Sequence, residues 1–262
     1  MDMTLDQYIS NPMGKNNAVL SGSVREITRK DYTHRFNNIL LRENGKIDYF
    51  VYKGKGNEYY FHIKIPSEVV KNFYYDVVLK FTPTADQIRI GTTLNQYKVQ
   101  FYSNDPAFVY TYAHVFLKND LFIKELASKM SKRALKEAPN EKNPNKLVGY
   151  VKSLFFAYLF MQQRGLFNPI RLTSAQPLDL KYLVSQIEDA DTKIEKRQEE
   201  GEKVSKKKKV EVSTDTAKKI NRIGMTDQSR ERLVTTTNKV QKVKRSGSSN
   251  SSRKSIKSTN KV

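Results

Sequence analysis

Every aromatic side chain of this 262-residue chain, 13 Phe and 15 Tyr with no Trp, lies at or before Tyr182. The 80 residues from Leu183 to Val262 contain none. From Lys203 onward, 18 Lys and Arg stand against four acids, Glu211, Asp215, Asp227 and Glu231, so the last 60 residues hold +14 of the formal net charge of +20. A segment with that balance cannot bury enough apolar surface to offset its chain entropy, and alone it is expected to be extended or disordered. The chain therefore divides into a folded body over residues 1–182, a charged helical stalk over 183–202 and a basic low-complexity arm over 203–262.

Composition excludes several classes of chemistry. Body and stalk together carry 29 basic and 23 acidic residues, so the arm is where the charge is concentrated. The absence of cysteine removes disulfides, thiolate catalysis and Cys-based zinc sites together. The first residues, Met1-Asp2-Met3-Thr4-Leu5-Asp6, place acids where a secretion signal needs a basic region and an apolar run, so no export is expected. The most apolar stretch, Leu147 to Met161, spans 15 residues and includes Lys152. A bilayer span needs about 20 apolar residues, so no membrane partner is expected.

The body reads as sheet followed by helices. Thr4-Leu5-Asp6-Gln7 is a capping box that starts a short helix at Leu5, and Ser23-Val24-Arg25-Glu26 is a second, opening a helix that turns Val24, Ile27 and Tyr32 inward. Asn44-Gly45 between Phe36–Arg42 and Ile47–Lys53 predicts a hairpin, because both residues tolerate the positive φ of a type I′ turn. Glu58 to Ile65 alternates, with Tyr59, Phe61, Ile63 and Ile65 expected to face the core. Phe73 to Phe81 and Leu94 to Tyr102 are two more β-like runs, joined by a polar loop over residues 82–93.

After Asp105-Pro106 the period changes to helical, with Asp as N-cap and Pro at the first helical position. A short helix is expected over Leu121–Met130, extending toward Ala138, and a polar linker over Pro139–Asn145. The strongest helical pattern is Lys146–Arg164, with Gly165 placed to end it. A last helix, Pro177–Glu200, loses its apolar stripe after Ile187 and is expected to carry the chain off the body. The fold class is thus α+β: an antiparallel sheet of about five strands packed against several helices, followed by the arm.

Catalytic chemistry finds little purchase. His34, His62 and His114 are far apart and share no metal-ligand spacing, and ordinary structural histidines account for them. Asp76 sits inside a strand and Asp105 is explained as an N-cap, while Glu125 and Glu137 lie among lysines on helix faces. A metal-dependent nuclease needs several convergent acids, and no such cluster stands out. Gly54 and Gly56 lack the strand-loop-helix setting and the Gly-Lys-Ser/Thr ending of a phosphate loop. No enzyme activity and no cofactor are expected. Rings interleaved with lysines, Tyr49 to Lys53 and Tyr59 to Lys64, could stack on nucleobases, although alternation in a half-buried sheet assigns half of them to the core.

The arm offers the candidate contacts. Lys206, Lys207, Lys208 and Lys209 form one basic run, Lys242, Lys244 and Arg245 a second, and Arg253 with Lys254 a third, among Ser, Thr and Asn. Contacts of this kind to nucleic-acid phosphates are independent of sequence and strongly salt-dependent. Fully extended, the arm could reach about 200 Å, enough to cross neighbouring subunits of an assembly.

Several strings in the body, Asn11-Pro12-Met13-Gly14, Leu41-Arg42-Glu43-Asn44-Gly45, Ile65-Pro66-Ser67-Glu68-Val69-Val70, Ser103 to Tyr110 and Gly149 to Leu154, resemble those of structural proteins of tailed bacteriophages from low-GC hosts. The resemblance spans residues 3–170 and excludes the arm. It implies a virion component made in the host cytoplasm, at the head-to-tail connection or in the capsid interior. Its partners would be other virion proteins in an oligomeric assembly, with the arm on neighbouring subunits or DNA. The alternative is a nucleic-acid-binding accessory protein of phage replication, transcription or packaging.

Overall fold

The computed structural model describes residues 2–10, 29–139, 143, 146, 148, 149 and 151–201. The fold is α+β, a five-stranded mixed sheet with helices on both faces. In chain order the main elements are α1 (Leu5–Ser10), α2 (Arg29–Arg42), β1 (Tyr49–Lys53), β2 (Tyr59–Pro66), β3 (Tyr74–Thr82), α3 (Ala85–Ile90) and β4 (Lys98–Ser103). There follow α4 (Ala113–Lys118), α5 (Lys132–Lys136), α6 (Lys152–Gln163), β5 (Gln176–Pro177), α7 (Leu180–Gln186) and a helix over residues 190–201, α8.

The strand order is β4-β3-β2-β1-β5. β1 to β4 pair antiparallel, whereas β5 adds to β1 in parallel, Tyr52 opposite Gln176 and Lys53 opposite Pro177. The expected number of strands is present with a different membership. The sequence reading placed the first strand at Phe36–Arg42, and that segment is the second half of α2.

The hairpin expectation failed because a positive φ at Asn-Gly serves two structures. Asn44 and Gly45 do take φ 52 and 71. Here they terminate a helix: the Gly45 amide donates to the Leu40 carbonyl at 2.7 Å and the Asn44 amide to Leu41 at 3.2 Å, which is the Schellman pattern. The helical spacing of Tyr32, Phe36 and Ile39 decides between the two, since it turns one face onto α6, where Phe36 meets Phe156 at 5.5 Å between ring centroids. The capping box at Ser23 falls at residues 11–28, outside the described residues.

Of the other expectations, some hold with shifted boundaries and others do not. The Thr4–Gln7 capping box forms, each residue's amide bonded to the other's side chain at 2.9 and 3.2 Å. The polar loop at 82–93 contains α3, started by a capping box between Thr84 and Gln87. Leu94–Gln96 is a 3-10 turn, so the last antiparallel strand begins at Lys98. Asp105 caps the following helix by accepting from the Ala107 amide at 3.0 Å. That helix widens to a π segment over Phe108–Tyr112 before α4. The α-helix expected over Leu121–Met130 is instead an extended stretch and a 3-10 helix, Lys124–Lys129, because Leu121 and Ile123 bond to both sides of Phe101 on the outer edge of β4, at 2.7 and 3.1 Å.

α6 begins at Lys152 rather than Lys146, and Gly165, φ 64, ends it as expected. It lies on the sheet face formed by Phe61, Leu79 and Phe101, with Ser153 Oγ 3.4 Å from Ser103 Oγ. The opposite face carries Tyr60, His62, Val78 and Tyr102 and is covered as well, by the 124–129 segment: Tyr102 donates to the Lys129 carbonyl and Tyr60 to Glu125. This is why β2 alternates in sequence yet is buried on both faces.

The charged helix read over Pro177–Glu200 is two helices, α7 and α8, broken at residues 187–189. Its apolar stripe continues past Ile187, since Ala190 and Ile194 are also buried. The chain thus remains packed on the body through this segment, which belongs to the compact unit Met1–Glu202. No helix among the described residues is long and apolar enough to cross a membrane.

Candidate functional site

The candidate site is a buried polar joint where the body receives the segment that precedes the arm. Asp76 interrupts the apolar run of β3, and its neighbour His62 lies diagonally across on β2, two register positions away on the same face: His62 opposes Val78, and Asp76 opposes Lys64. His62 Nε2 is 2.8 Å from Asp76 Oδ1, with the histidine 0% and the aspartate 5% exposed. Asn104, immediately after β4, reaches the same carboxylate. Its Nδ2 donates to Asp76 Oδ2 at 2.8 Å, and its Oδ1 accepts from the Asp76 amide at 2.8 Å.

Asp76 and Asn104 then grip one residue of the later chain at both ends. Asp76 Oδ2 accepts from the Glu188 amide at 3.4 Å, and Asn104 Nδ2 donates to the Glu188 carbonyl at 3.3 Å. The Glu188 carboxylate in turn binds Lys193 at 2.9 Å and Lys196. Lys193 lies over the Phe73 ring at 4.7 Å, closing a small apolar cluster of Val70, Phe73 and Tyr75. Asp189, whose carbonyl accepts the Lys193 amide, precedes α8, so two acids sit at the end where the helix dipole favours negative charge.

Electrostatics fit a joint that holds its charge. Burial pushes the Asp76 carboxyl up, but the bond from His62, its charge, Lys193 and Asn104 outweigh that and leave it below the ordinary carboxylate value. His62 Nε2 faces the carboxylate, and its Nδ1 is buried with no hydrogen-bond partner. Enclosed in this way, the pair holds a chain segment and does not present a proton to solvent.

Two further clusters fix charge on the body. Glu68 receives Arg35 through two bonds of 2.6 Å and also pairs with Lys152, tying α2 and α6 to the loop after β2. Lys80 bridges Glu125 at 2.7 Å and Glu58 at 3.4 Å beside Tyr60, whose hydroxyl is pushed up to about 12, chiefly by burial.

The sequence-predicted contacts, Lys206, Lys207, Lys208, Lys209, Lys242, Lys244, Arg245, Arg253 and Lys254, lie outside the described residues. Of the two stretches considered for base stacking, the rings of Tyr52, Tyr59, Tyr60 and Phe61 are buried in the core, while Tyr49 and Phe50 remain 39% and 36% exposed. His34, His62 and His114 do not converge, and no group of three or more potential ligands for a metal ion occurs among the described residues. Sequence reasoning explained Asp76 and His62 singly and missed their pairing. The available hint was an acid at the centre of the run Tyr74 to Leu79, where only a buried partner makes a charge tolerable. No protein-family model, no curated protein and no solved structure matches this chain.

Proposed function

We propose that this chain is a non-enzymatic structural protein of a tailed-phage virion, acting at the head-to-tail connection or in the capsid interior. In this reading the body makes protein contacts, and the arm binds neighbouring subunits or DNA. The observation that carries the reading is the partition of charge and aromatic content, with +14 and no aromatic ring in the final 60 residues. The resemblance of residues 3–170 to tailed-phage structural proteins supplies the virion setting. The docking of residues 187–194 on the sheet gives the segment that precedes the arm a defined seat.

The test compares the purified full-length chain with the same chain in its particle, by limited proteolysis and by DNA binding across a salt series. An assembly strap is cut free in solution, is protected in the particle and has weak DNA affinity on its own. Tight DNA binding by the isolated chain, falling by about 0.9 in log–log slope per phosphate contact, moves the assignment to a nucleic-acid-binding accessory protein. Gln substitutions at Lys206–Lys209 with Lys242, Lys244 and Arg245 are expected to abolish particle incorporation under the first reading and to flatten the salt slope under the second.

A further inference from the structure

The grip on Glu188 is arranged so that letting go leaves the sheet intact. If residues 187–201 lift away, Asp76 keeps the bonds from His62 and Asn104, and Asn104 keeps both of its bonds to Asp76. No buried polar group of the sheet is orphaned, so the main penalty that would couple this segment to the sheet is absent. No strand pairing joins the segment to the sheet either: β5 ends at Pro177, and α7 docks separately through Leu183. What holds the segment is the Glu188 main chain, the side chains of Ile187, Ala190 and Ile194, Lys193 over Phe73, Arg197 beside the Tyr75 hydroxyl, and Asp189 at 3.7 Å from Lys129. The outer side of α8, with Asp191, Thr192 and Glu195, is exposed.

We infer that residues 187–201 are a latch, closed on Asp76 and Asn104, that opens as a unit of its own while the sheet stays folded. Local opening of this kind is drawn from segments with few buried apolar contacts. Opening frees 15 residues, which adds about 50 Å of extended chain to the length available beyond the body. The latch is therefore a device for setting reach. That meaning rests on the proposed role of the arm, whereas the latch itself is a property of the free chain.

The experiment is amide hydrogen exchange on the full-length protein with no partner or DNA present, so its outcome is separate from that of the assembly tests. In the wild type, residues 187–201 are expected to be protected but to exchange faster than β2, β3 and β4. Ile194→Ala, which trims the latch's own apolar anchor and removes no atom of the strands, should speed exchange there at least tenfold and leave the strands unchanged. Asn104→Ala should also speed exchange in the latch, and because it removes the acceptor of the Asp76 amide it should speed exchange around Asp76 in β3 as well. Equal rates for latch and strands in the wild type overturn the inference, as does an Ile194→Ala effect shared by the strands. An unprotected segment in the wild type, or no change on Ile194→Ala, also overturns it.

Discussion

The phenol of Tyr8 donates to the carbonyl of Gly149 at 3.2 Å and accepts the amide of Val151 at 3.1 Å. One hydroxyl from the first helix thus fixes the turn that launches the central helix more than 140 positions later. Tyr8 also packs on Phe101, ring centroids 4.7 Å apart, so the same side chain ties the turn to the sheet. Tyr8→Phe keeps the ring and removes only the bridge. It is expected to destabilise the body by about 1–3 kcal/mol, because a buried carbonyl and a buried amide lose their partner. Denaturant unfolding should show a lower midpoint at unchanged slope.

Gly149 has a second reason to be glycine. A Cβ built there would lie 2.2 Å from the Tyr112 ring, so the ring or the turn must move. Gly149→Ala should therefore destabilise by about 1–3 kcal/mol as an overpacking change. Gly201→Ala, in a helical position with open space around its Cβ, should be neutral or stabilising by up to about 1 kcal/mol. Thermal melts of the two variants side by side check both signs.

Asn44 occupies the left-handed position that ends α2. Replacement by Gly should be tolerated, whereas Asn44→Val forces a β-branched residue to φ 52 and is expected to cost about 1–2 kcal/mol. Thermal melts of the two variants beside the wild type check the order.

Acid should unfold the body through its paired carboxylates. Glu68 is held below its ordinary 4.5: burial pushes it up, and Arg35 and Lys152 more than reverse that. Asp120 is held at about 2 by bonds from Lys98 and Lys124. Depressed folded-state values mean that the unfolded chain takes up protons first. The stability these groups contribute is complete above about pH 4.5 and is lost as the pH falls toward 2. Glu68→Gln should flatten the dependence of melting temperature on pH in that window and lower stability at pH 7.

How much of this was legible beforehand follows from the range of each cue. Local cues read correctly: the Thr4 capping box, the Asp105 cap and the Gly165 stop each depend on residues within one turn. The Asn44-Gly45 cue is local too, yet it fits two structures equally, and the choice was made by Phe156, more than a hundred residues away. β5 is two residues long and has no periodicity to find; it exists because Leu178 reaches the carbonyl of Lys53, 2.9 Å away. The joint at Asp76 was hidden for the same reason, its parts lying on β2, on β3, after β4 and before α8. In the arm, charge and composition are legible as partner chemistry without naming the partner.

The second face of the sheet is closed by residues drawn from late in the body, Lys129, Leu183, Glu188 and Ile194 among them. During synthesis, the strands up to Ser103 leave the ribosome with Tyr60, His62 and Tyr102 still uncovered; the 124–129 segment then covers Tyr60 and Tyr102, and the joint at His62 and Asp76 closes only once the segment around Ile194 has emerged. What the ribosome makes next is the 60-residue basic stretch from Lys203. That stretch acts as a spacer in time, keeping the nascent chain tethered for several seconds at about 5–20 residues per second while the last cover settles. The last cover of the sheet thus has at least the time of 60 further residues of synthesis in which to settle.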